Sequence, residues 1–141
     1  MAGSYTPATA QSPRTPIAGF SDGQGTNAAF VDPWGIVLEP LNGNVFVTDS
    51  TANTVRQVTP WGLATTLAGN PSVPGGFADG QGTQVLFSQP AEIGYFQGVL
   101  TLADVNNNAI RQVRRGKGAT ARGVCCCAAV PLCPLHSAPS L

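Results

Sequence analysis

The chain has 141 residues, with seven acidic and seven basic side chains that balance and a charged fraction of only 10%. This length suits one domain, and a neutral chain lacks the overall positive charge that nucleic-acid-binding proteins commonly carry. The 17 glycines and 12 prolines favour short strands and tight turns over long helices.

The N-terminal residues 1–13 are small, polar and interrupted by prolines, and we predict a disordered leader there. They contain no apolar stretch of the kind that a secretory signal needs. The longest uncharged apolar run, from Val124 to Leu135, is short and contains Pro131 and Pro134. It is not expected to cross a membrane as a helix, and the sequence assigns no compartment.

One phrase occurs twice in the chain. It reads FSDGQGTNAAF from Phe20 and FADGQGTQVLF from Phe77. An internal repeat of this kind predicts an architecture built from stacked copies of one supersecondary unit. We therefore place a repeat region at residues 14–113, with a first unit at 20–69 and a second, partial unit at 77–113.

The first unit contains four short runs of β-branched and aliphatic residues, separated by turn-forming residues. These runs predict four strands, at residues 36–38, 44–48, 54–58 and 63–67. The segment from Thr59 to Gly62 suits a type I turn, with proline second and glycine fourth. Four strands joined in this way make an antiparallel meander.

The second unit has the same glycine, proline and polar residues between its strand-like runs as the first, but it is two residues shorter before Gly98. The match stops at Val113, and Arg122 stands where the first unit has Leu67. We therefore predict that the fourth strand is missing and that residues 114–141 form an unpatterned tail, rich in cysteine and proline, outside the fold.

The motifs of the first unit follow a recognisable order: Phe-x-Asp-Gly-x-Gly-Thr, Gly-Asn-Val-Phe-Val-Thr-Asp, Val-Arg, Thr-Pro-x-Gly and Thr-Thr-Leu-Ala-Gly. Over residues 14–113 this order resembles the NHL-repeat family. The resemblance implies an all-β fold, an incomplete β-propeller of about two four-stranded antiparallel blades. The second copy departs from the family pattern at Glu92, where the first copy has Gly35.

A propeller needs about four to eight blades to close, and stacked repeats generally need about three units for stability. The pattern is therefore consistent with a fragment of a longer propeller, with copies that assemble into a ring, or with a marginally folded chain. We favour the fragment. Sequencing the transcript across Val113 tests whether the tail is genuine coding sequence.

The phrase from Asp22 to Thr26 allows two interpretations. Its two glycines would suit a ligand loop, but it lacks the third glycine of a dinucleotide site, the lysine of a phosphate loop and the carboxylates of a calcium loop. Its recurrence favours a structural joint between units. In that interpretation Asp22 makes an Asx turn, and Thr26 caps a helical turn that carries Phe30 into the core.

A second recurring set pairs Asp49 with Arg56 and Asp104 with Arg111. These side chains could line a polar surface on one face of the ring. The interpretation we favour is structural: the aspartate accepts backbone N–H bonds with help from Asn53 or Asn108, and the arginine pairs with it or with the next unit.

The remaining candidates lie near the C-terminus. The basic cluster lacks interleaved aromatic residues for base stacking, although some NHL-repeat proteins bind RNA, so we expect a solvated tail. The cysteines could be palmitoylated or, with His136, could bind a metal, but their spacing matches no common zinc motif. These residues are Arg111, Arg114, Arg115, Lys117, Arg122, Cys125, Cys126, Cys127, Cys133 and His136.

From these observations we predict a non-enzymatic protein-interaction scaffold with no catalytic residue, cofactor or metal. The expected partner is a protein and not a nucleic acid, and the sequence shows no transmembrane segment. The alternatives are a fragment of a propeller lyase or hydrolase whose catalytic residues lie elsewhere, and a half-ring completed by homo-oligomerisation. The predicted structural positions are Phe20, Asp22, Gly23, Gly25, Phe30, Pro33, Asn53, Asp49, Arg56, Phe77, Asp79, Gly80, Gly82, Phe87, Pro90, Asp104, Asn108 and Arg111.

Overall fold

The computed structural model of the chain describes residues 19–114 and 120–124. These residues form an all-β structure of two antiparallel sheets, one for each repeat unit, and the two sheets do not close a ring. The predicted leader lies outside the described residues, and so does the predicted tail apart from Arg114 and residues 120–124.

The first sheet has five strands in the order β1-β5-β4-β3-β2. Its strands are β1 (Gly23–Gln24), β2 (Pro33–Leu38), β3 (Val45–Asp49), β4 (Thr54–Val58) and β5 (Leu63–Gly69). The four predicted strands are present with small shifts at their ends. The phrase adds the short β1, which pairs with β5 through Gly23 opposite Ala64 and was not predicted.

The second sheet repeats this order as β6-β10-β9-β8-β7. Its strands are β6 (Gly80–Gln81), β7 (Pro90–Phe96), β8 (Val99–Asp104), β9 (Ala109–Arg114) and β10 (Thr120–Val124). The β7–β8 hairpin turns through Gln97 and Gly98, both at positive φ (45° and 82°), which accounts for the two-residue shortening.

The predicted absence of a fourth long strand after Val113 is wrong, and so is the assignment of all of residues 114–141 to a tail outside the fold. Strand β10 pairs with β9, with Ala121 opposite Val113, and also with β6. In the first unit the equivalent pair is Val58 and Ala64, six residues apart, whereas Val113 and Ala121 are eight apart. The longer segment between β9 and β10 restores the original register, so Arg122 pairs with Gln112 as Thr65 pairs with Gln57 and does not occupy the position of Leu67.

The core lies between the two sheets and draws on both of them. Its buried members are Phe46, Val55, Ala68, Val85, Phe87, Ile93, Leu100, Leu102 and Val113. The ring of Phe46 in β3 stacks on Tyr95 in β7, with centroids 6.1 Å apart. Each sheet supplies one face to this core, so the packing of one unit on the other removes apolar surface of both from water.

Polar contacts also cross between the units. The Thr48 hydroxyl accepts a hydrogen bond from the Gly35 N–H (2.8 Å) and donates one to the Ala91 carbonyl (2.6 Å). At Gly35 the backbones approach so closely that a Cβ atom would lie 2.6 Å from the Ala91 oxygen. Glycine is therefore required at this position in the first unit.

Candidate functional site

The recurring phrase forms the two-residue edge strand followed by a short 3₁₀ helix, Gly25–Asn27 in the first unit and Gly82–Gln84 in the second. Gly25 and Gly82 have φ of +55° and +54°, with open space where a side chain would begin. The second glycine of each phrase is therefore needed for its backbone conformation and not for a close approach.

Two details predicted for the phrase are wrong. Thr26 lies inside the 3₁₀ helix, whose N-cap residue Gln24 makes no capping hydrogen bond through its side chain. Asp22 does not make an Asx turn. Its carboxylate instead accepts hydrogen bonds from the Thr66 N–H and the Thr66 hydroxyl, both at 2.9 Å, and so fastens the phrase to β5.

Asp22 also contacts Arg56, and this contact joins the two recurring sets that the sequence left separate. The Arg56 side chain is completely buried, and its Nη2 lies 2.9 Å from Asp22 Oδ1. The same nitrogen donates to the Ser21 carbonyl at 2.8 Å, while Nη1 donates to the Ala29 carbonyl at 3.1 Å. One arginine from β4 therefore holds both ends of the phrase.

The guanidinium of Arg56 lies between two aromatic rings of the phrase. Its central carbon is 4.4 Å from the centroid of Phe20 and 4.5 Å from that of Phe30. Cation–π attraction of this kind strengthens when the cation is removed from water. The Phe30 ring is thus oriented by the arginine, a role that the sequence pattern did not reveal.

Asp49 completes the first cluster. Its two carboxylate oxygens accept hydrogen bonds from the backbone N–H groups of Val31 (3.0 Å) and Asp32 (2.8 Å), and its Oδ2 lies 3.7 Å from Arg56 Nη1. This agrees with the predicted bonding of Asp49 to backbone N–H groups, but these groups belong to the segment before β2.

Asn53, which was predicted to assist Asp49, bonds to the other unit: its side-chain oxygen accepts a hydrogen bond from the Gln89 N–H at 2.9 Å.

The second unit repeats the cluster around the buried Arg111. Its Nη2 donates to Asp79 Oδ1 and to the Ala78 carbonyl, both at 2.8 Å, and Nη1 donates to the Leu86 carbonyl at 3.1 Å. The guanidinium carbon lies 4.5 Å from the centroid of Phe77 and 5.1 Å from that of Phe87.

The two clusters differ in how they use the second carboxylate. Asp104 Oδ2 is only 2.9 Å from Arg111 Nη1 and also accepts from the Asn107 side chain at 2.8 Å. Asp104 Oδ1 accepts from the Ser88 N–H at 2.7 Å. The residue that assists Asp104 is therefore Asn107, not the predicted Asn108, which ends the turn in a left-handed conformation.

These clusters have little capacity to bind a ligand. Each guanidinium is buried between aromatic rings, and its two outer nitrogens already donate to protein oxygens. The Nε atoms of Arg56 and Arg111 have no hydrogen-bond partner and no exposure to water. Their arrangement fixes the phrase against the sheet, which is the structural interpretation of the repeated residues.

Among the described residues, no group of three or more histidine, cysteine, aspartate or glutamate side chains is placed to hold a metal ion. The candidate cysteines and His136 lie outside the described residues. Within the same part of the chain, no helix is long and apolar enough to span a bilayer.

A second candidate site consists of two neighbouring turns at one end of the first sheet, which we call the tip surface: Pro40, Leu41, Pro60 and Trp61. Leu41 is 90% exposed and Trp61 is 84% exposed. The turns are adjacent, since a Cβ on Gly43 would lie 3.2 Å from Pro60 Cγ. Sequence reasoning identified both turns but not the exposure of these two large apolar side chains.

The phrase holds the tip surface in place. The Gly25 N–H donates to the Gly62 carbonyl at 2.9 Å, and the Gln24 side chain donates to the Trp61 carbonyl. Within the turn, the Gly62 N–H donates to the Thr59 carbonyl at 2.9 Å. The exposed indole is therefore presented from an ordered turn, so little backbone entropy would be lost on binding.

Comparison with known proteins shows similarity of fold to solved structures but does not assign the chain to a family. No protein-family model and no curated protein sequence matches the chain. Solved structures do match it. They include a provisionally named phosphatase from Bacteroides thetaiotaomicron VPI-5482 (24% identity, TM-score 0.59), which this chain matches over 69% of its own residues and 24% of that protein.

Two further matches are described as auxiliary nutrient binding proteins. One, from Bacteroides ovatus ATCC 8483, shares 26% identity with a TM-score of 0.58, over 74% of this chain and 26% of that one. The other, from Bacteroides thetaiotaomicron VPI-5482, shares 22% identity with a TM-score of 0.57, over 74% of this chain and 26% of that one. The chain therefore spans about a quarter of the length of the structures it matches.

Proposed function

We propose that this chain is a two-unit segment of an NHL-repeat β-propeller and that it acts as a protein-interaction scaffold. The motif order of the sequence, the identical strand order of the two sheets and their face-to-face packing support the propeller. The matched structures are about three times as long as this chain, a length that leaves room for further repeats of this kind.

The observation that carries the scaffold role is the tip surface. Large apolar side chains that are exposed on an ordered turn are typical of protein-binding surfaces, and tryptophan is enriched among residues that dominate binding energy. The buried arginine clusters, in contrast, are occupied by structural contacts. A partner protein would therefore contact the turns at the end of the sheet, with Trp61 as its anchor.

Site-specific photo-crosslinking tests this function. A photoreactive phenylalanine analogue is placed at position 61, and a matched control carries it at Val73, which is 39% exposed in the link between the units. In lysate of the source cells, we expect a discrete crosslinked protein at position 61 only. Unlabelled wild-type chain should compete for it, and the double variant Leu41→Ser, Trp61→Ser should not.

With the captured protein purified, Trp61→Ala should weaken its binding by about 10- to 100-fold, as expected for an anchoring aromatic residue. The variant should keep its fold, because substitutions of exposed residues usually change stability by less than about 0.5 kcal/mol. Equal crosslinking at both positions, or competition by the double variant, would contradict a scaffold role for the tip surface.

A further inference from the structure

The loops that join β3 to β4 and β8 to β9 match residue for residue. Asp49 is paired with Thr54 across the first loop, and Asp104 is paired with Ala109 across the second. Both loops end in an asparagine at positive φ, 56° in the first and 49° in the second. The residue before that asparagine is Ala52 in the first unit and Asn107 in the second, so these two positions are equivalent.

In the second unit, Asn107 completes the bonding of the buried carboxylate. Its side-chain nitrogen donates to Asp104 Oδ2 and to the Gly76 carbonyl, both at 2.8 Å. Arg111 Nη1 donates to the same Oδ2 at 2.9 Å. Two side-chain donors therefore converge on Asp104 Oδ2.

The first unit has neither of these side-chain bonds. Ala52, which is buried, has no polar atom beyond its backbone. Arg56 Nη1 lies 3.7 Å from Asp49 Oδ2, too far for a direct hydrogen bond. Within the described part of the chain, this nitrogen donates to the Ala29 carbonyl, and its second N–H remains available to another acceptor.

Thr54 adds a third polar group at the same place. It stands opposite Asp49 on the neighbouring strand, and side chains paired in this way lie on one face of a sheet. Thr54 is completely buried, and its hydroxyl makes no hydrogen bond to any described residue. A buried hydroxyl without a protein partner is commonly satisfied by an ordered water molecule.

We propose that one water molecule binds inside the first unit, between Thr54, Asp49 and Arg56. The water donates to Asp49 Oδ2 and accepts from the Thr54 hydroxyl and from the second N–H of Arg56 Nη1. Three partners are the usual number for a buried water, and charged groups more than about 3.5 Å apart are often bridged in this way. The first unit thus uses a water where the second uses the amide of Asn107.

The chemistry of the site selects water over a cation or an organic ligand. The side chains of Asp49, Thr54 and Arg56 have no exposed surface. The replacement of asparagine by Ala52 removes one amide group, which leaves space of the order of one water, about 30 Å³. A cation would lie beside the guanidinium of Arg56 and be repelled by it.

This site is separate from the proposed scaffold function. Strand β3 begins at Val45 beside the tip surface and ends at Asp49, so the water lies at the opposite end of the first sheet. It bridges the arginine that holds the phrase to the carboxylate that holds the segment before β2.

Oxygen-17 magnetic relaxation dispersion, which counts long-lived internal waters, tests the proposal on the full chain. Ala52→Asn introduces the side chain of the second unit and should lower the count by one. Thr54→Ser keeps the hydroxyl and is the matched control, with the count of the wild type. Equal counts for the wild type and Ala52→Asn would overturn the proposal.

The site can also be transferred to the second unit. The double variant Asn107→Ala, Ala109→Thr gives the second cluster the side chains of the first, and it should hold one water more than the wild type. A double variant that folds and gains no water would overturn the proposal.

The stability of Thr54→Val gives an independent result of opposite sign in the two cases. If the hydroxyl bonds to the water, its loss should raise the equilibrium constant of unfolding at least about fivefold in chemical denaturation. A buried hydroxyl without any partner gives the opposite result, because its replacement by a methyl group is neutral or stabilising. An unchanged or lowered unfolding constant for Thr54→Val would therefore overturn the proposal.

Discussion

The clusters around Arg56 and Arg111 occupy equivalent places in the two units, yet their second carboxylates have different roles. Asp49 bonds mainly to two backbone N–H groups and stands 3.7 Å from Arg56, whereas Asp104 forms a direct ion pair with Arg111 at 2.9 Å. The contact between arginine and the phrase aspartate is the same in both units, at 2.9 and 2.8 Å. The two units therefore share the ion pair that holds the phrase against the sheet. The contacts of the second carboxylate, Asp49 or Asp104, differ with the loop around it.

The largest effect should follow from removal of either arginine. Arg56→Met or Arg111→Met leaves a buried aspartate without its cation and several carbonyls without a donor. Breaking a buried pair from one side costs about 3–5 kcal/mol. Chemical denaturation should show a loss of this size in the free energy of unfolding for both variants, and about zero for Arg114→Met, whose side chain is exposed. Equal stabilities of all three variants would contradict the structural role of the clusters.

A smaller effect distinguishes the two clusters. In the wild type, Asp104 Oδ2 accepts hydrogen bonds from Arg111 and Asn107, and Oδ1 accepts one from the Ser88 N–H. The amide of Asp104→Asn has only one oxygen, so in either orientation its N–H₂ group faces a donor and at least one of these bonds is lost. We expect a cost of about 3 kcal/mol in the free energy of unfolding, against about 1–2 kcal/mol for Asp49→Asn, which mainly loses one backbone hydrogen bond. The difference between the clusters would be refuted if Asp49→Asn proved the more damaging substitution in the same denaturation assay.

Much of this arrangement was open to prediction from the sequence, because the repeat supplies two copies of every constraint. Strands β2 to β5, the recurring Asp–Arg set and its structural role follow from short apolar runs, the turn-forming residues between them and their recurrence in the second unit. The bond between Asp22 and Arg56 does not, since the two are 34 residues apart in the chain. The signal that could have revealed it is the similar separation of 32 residues between Asp79 and Arg111.

Strand β10 was missed for a different physical reason. Turns tolerate insertions because a longer loop adds only a small entropic cost. The segment between β9 and β10 is two residues longer than its counterpart in the first unit, and this insertion compensates the two-residue deletion at Gly98. A comparison without a second gap therefore aligned Arg122 with Leu67 and found no strand. The exposure of Trp61 depends on tertiary packing and has no local signature.

A third prediction compares the covered and open faces at one repeat position. Gly35→Ala puts a Cβ against the Ala91 carbonyl where the two units pack together. Overpacking of this kind costs about 1–3 kcal/mol. Glu92→Ala changes the equivalent, exposed position and should alter the stability of the monomer by less than about 0.5 kcal/mol. Thermal unfolding of both variants and the wild type measures these changes. A neutral Gly35→Ala would contradict the close packing of the two units.

The central claim is that the phrase and the buried arginine form one structural joint, and a double-mutant cycle measures it most directly. The cycle combines Asp22→Asn with Arg56→Gln, and the free energies of unfolding of the wild type, both single variants and the double variant are compared. Coupled neighbours show an interaction of about 0.5–3 kcal/mol, and distant residues add independently. We predict a coupling of at least about 1 kcal/mol for Asp22 with Arg56 and about zero for the control cycle of Asp22 with Arg111. Additive effects in both cycles would contradict the joint.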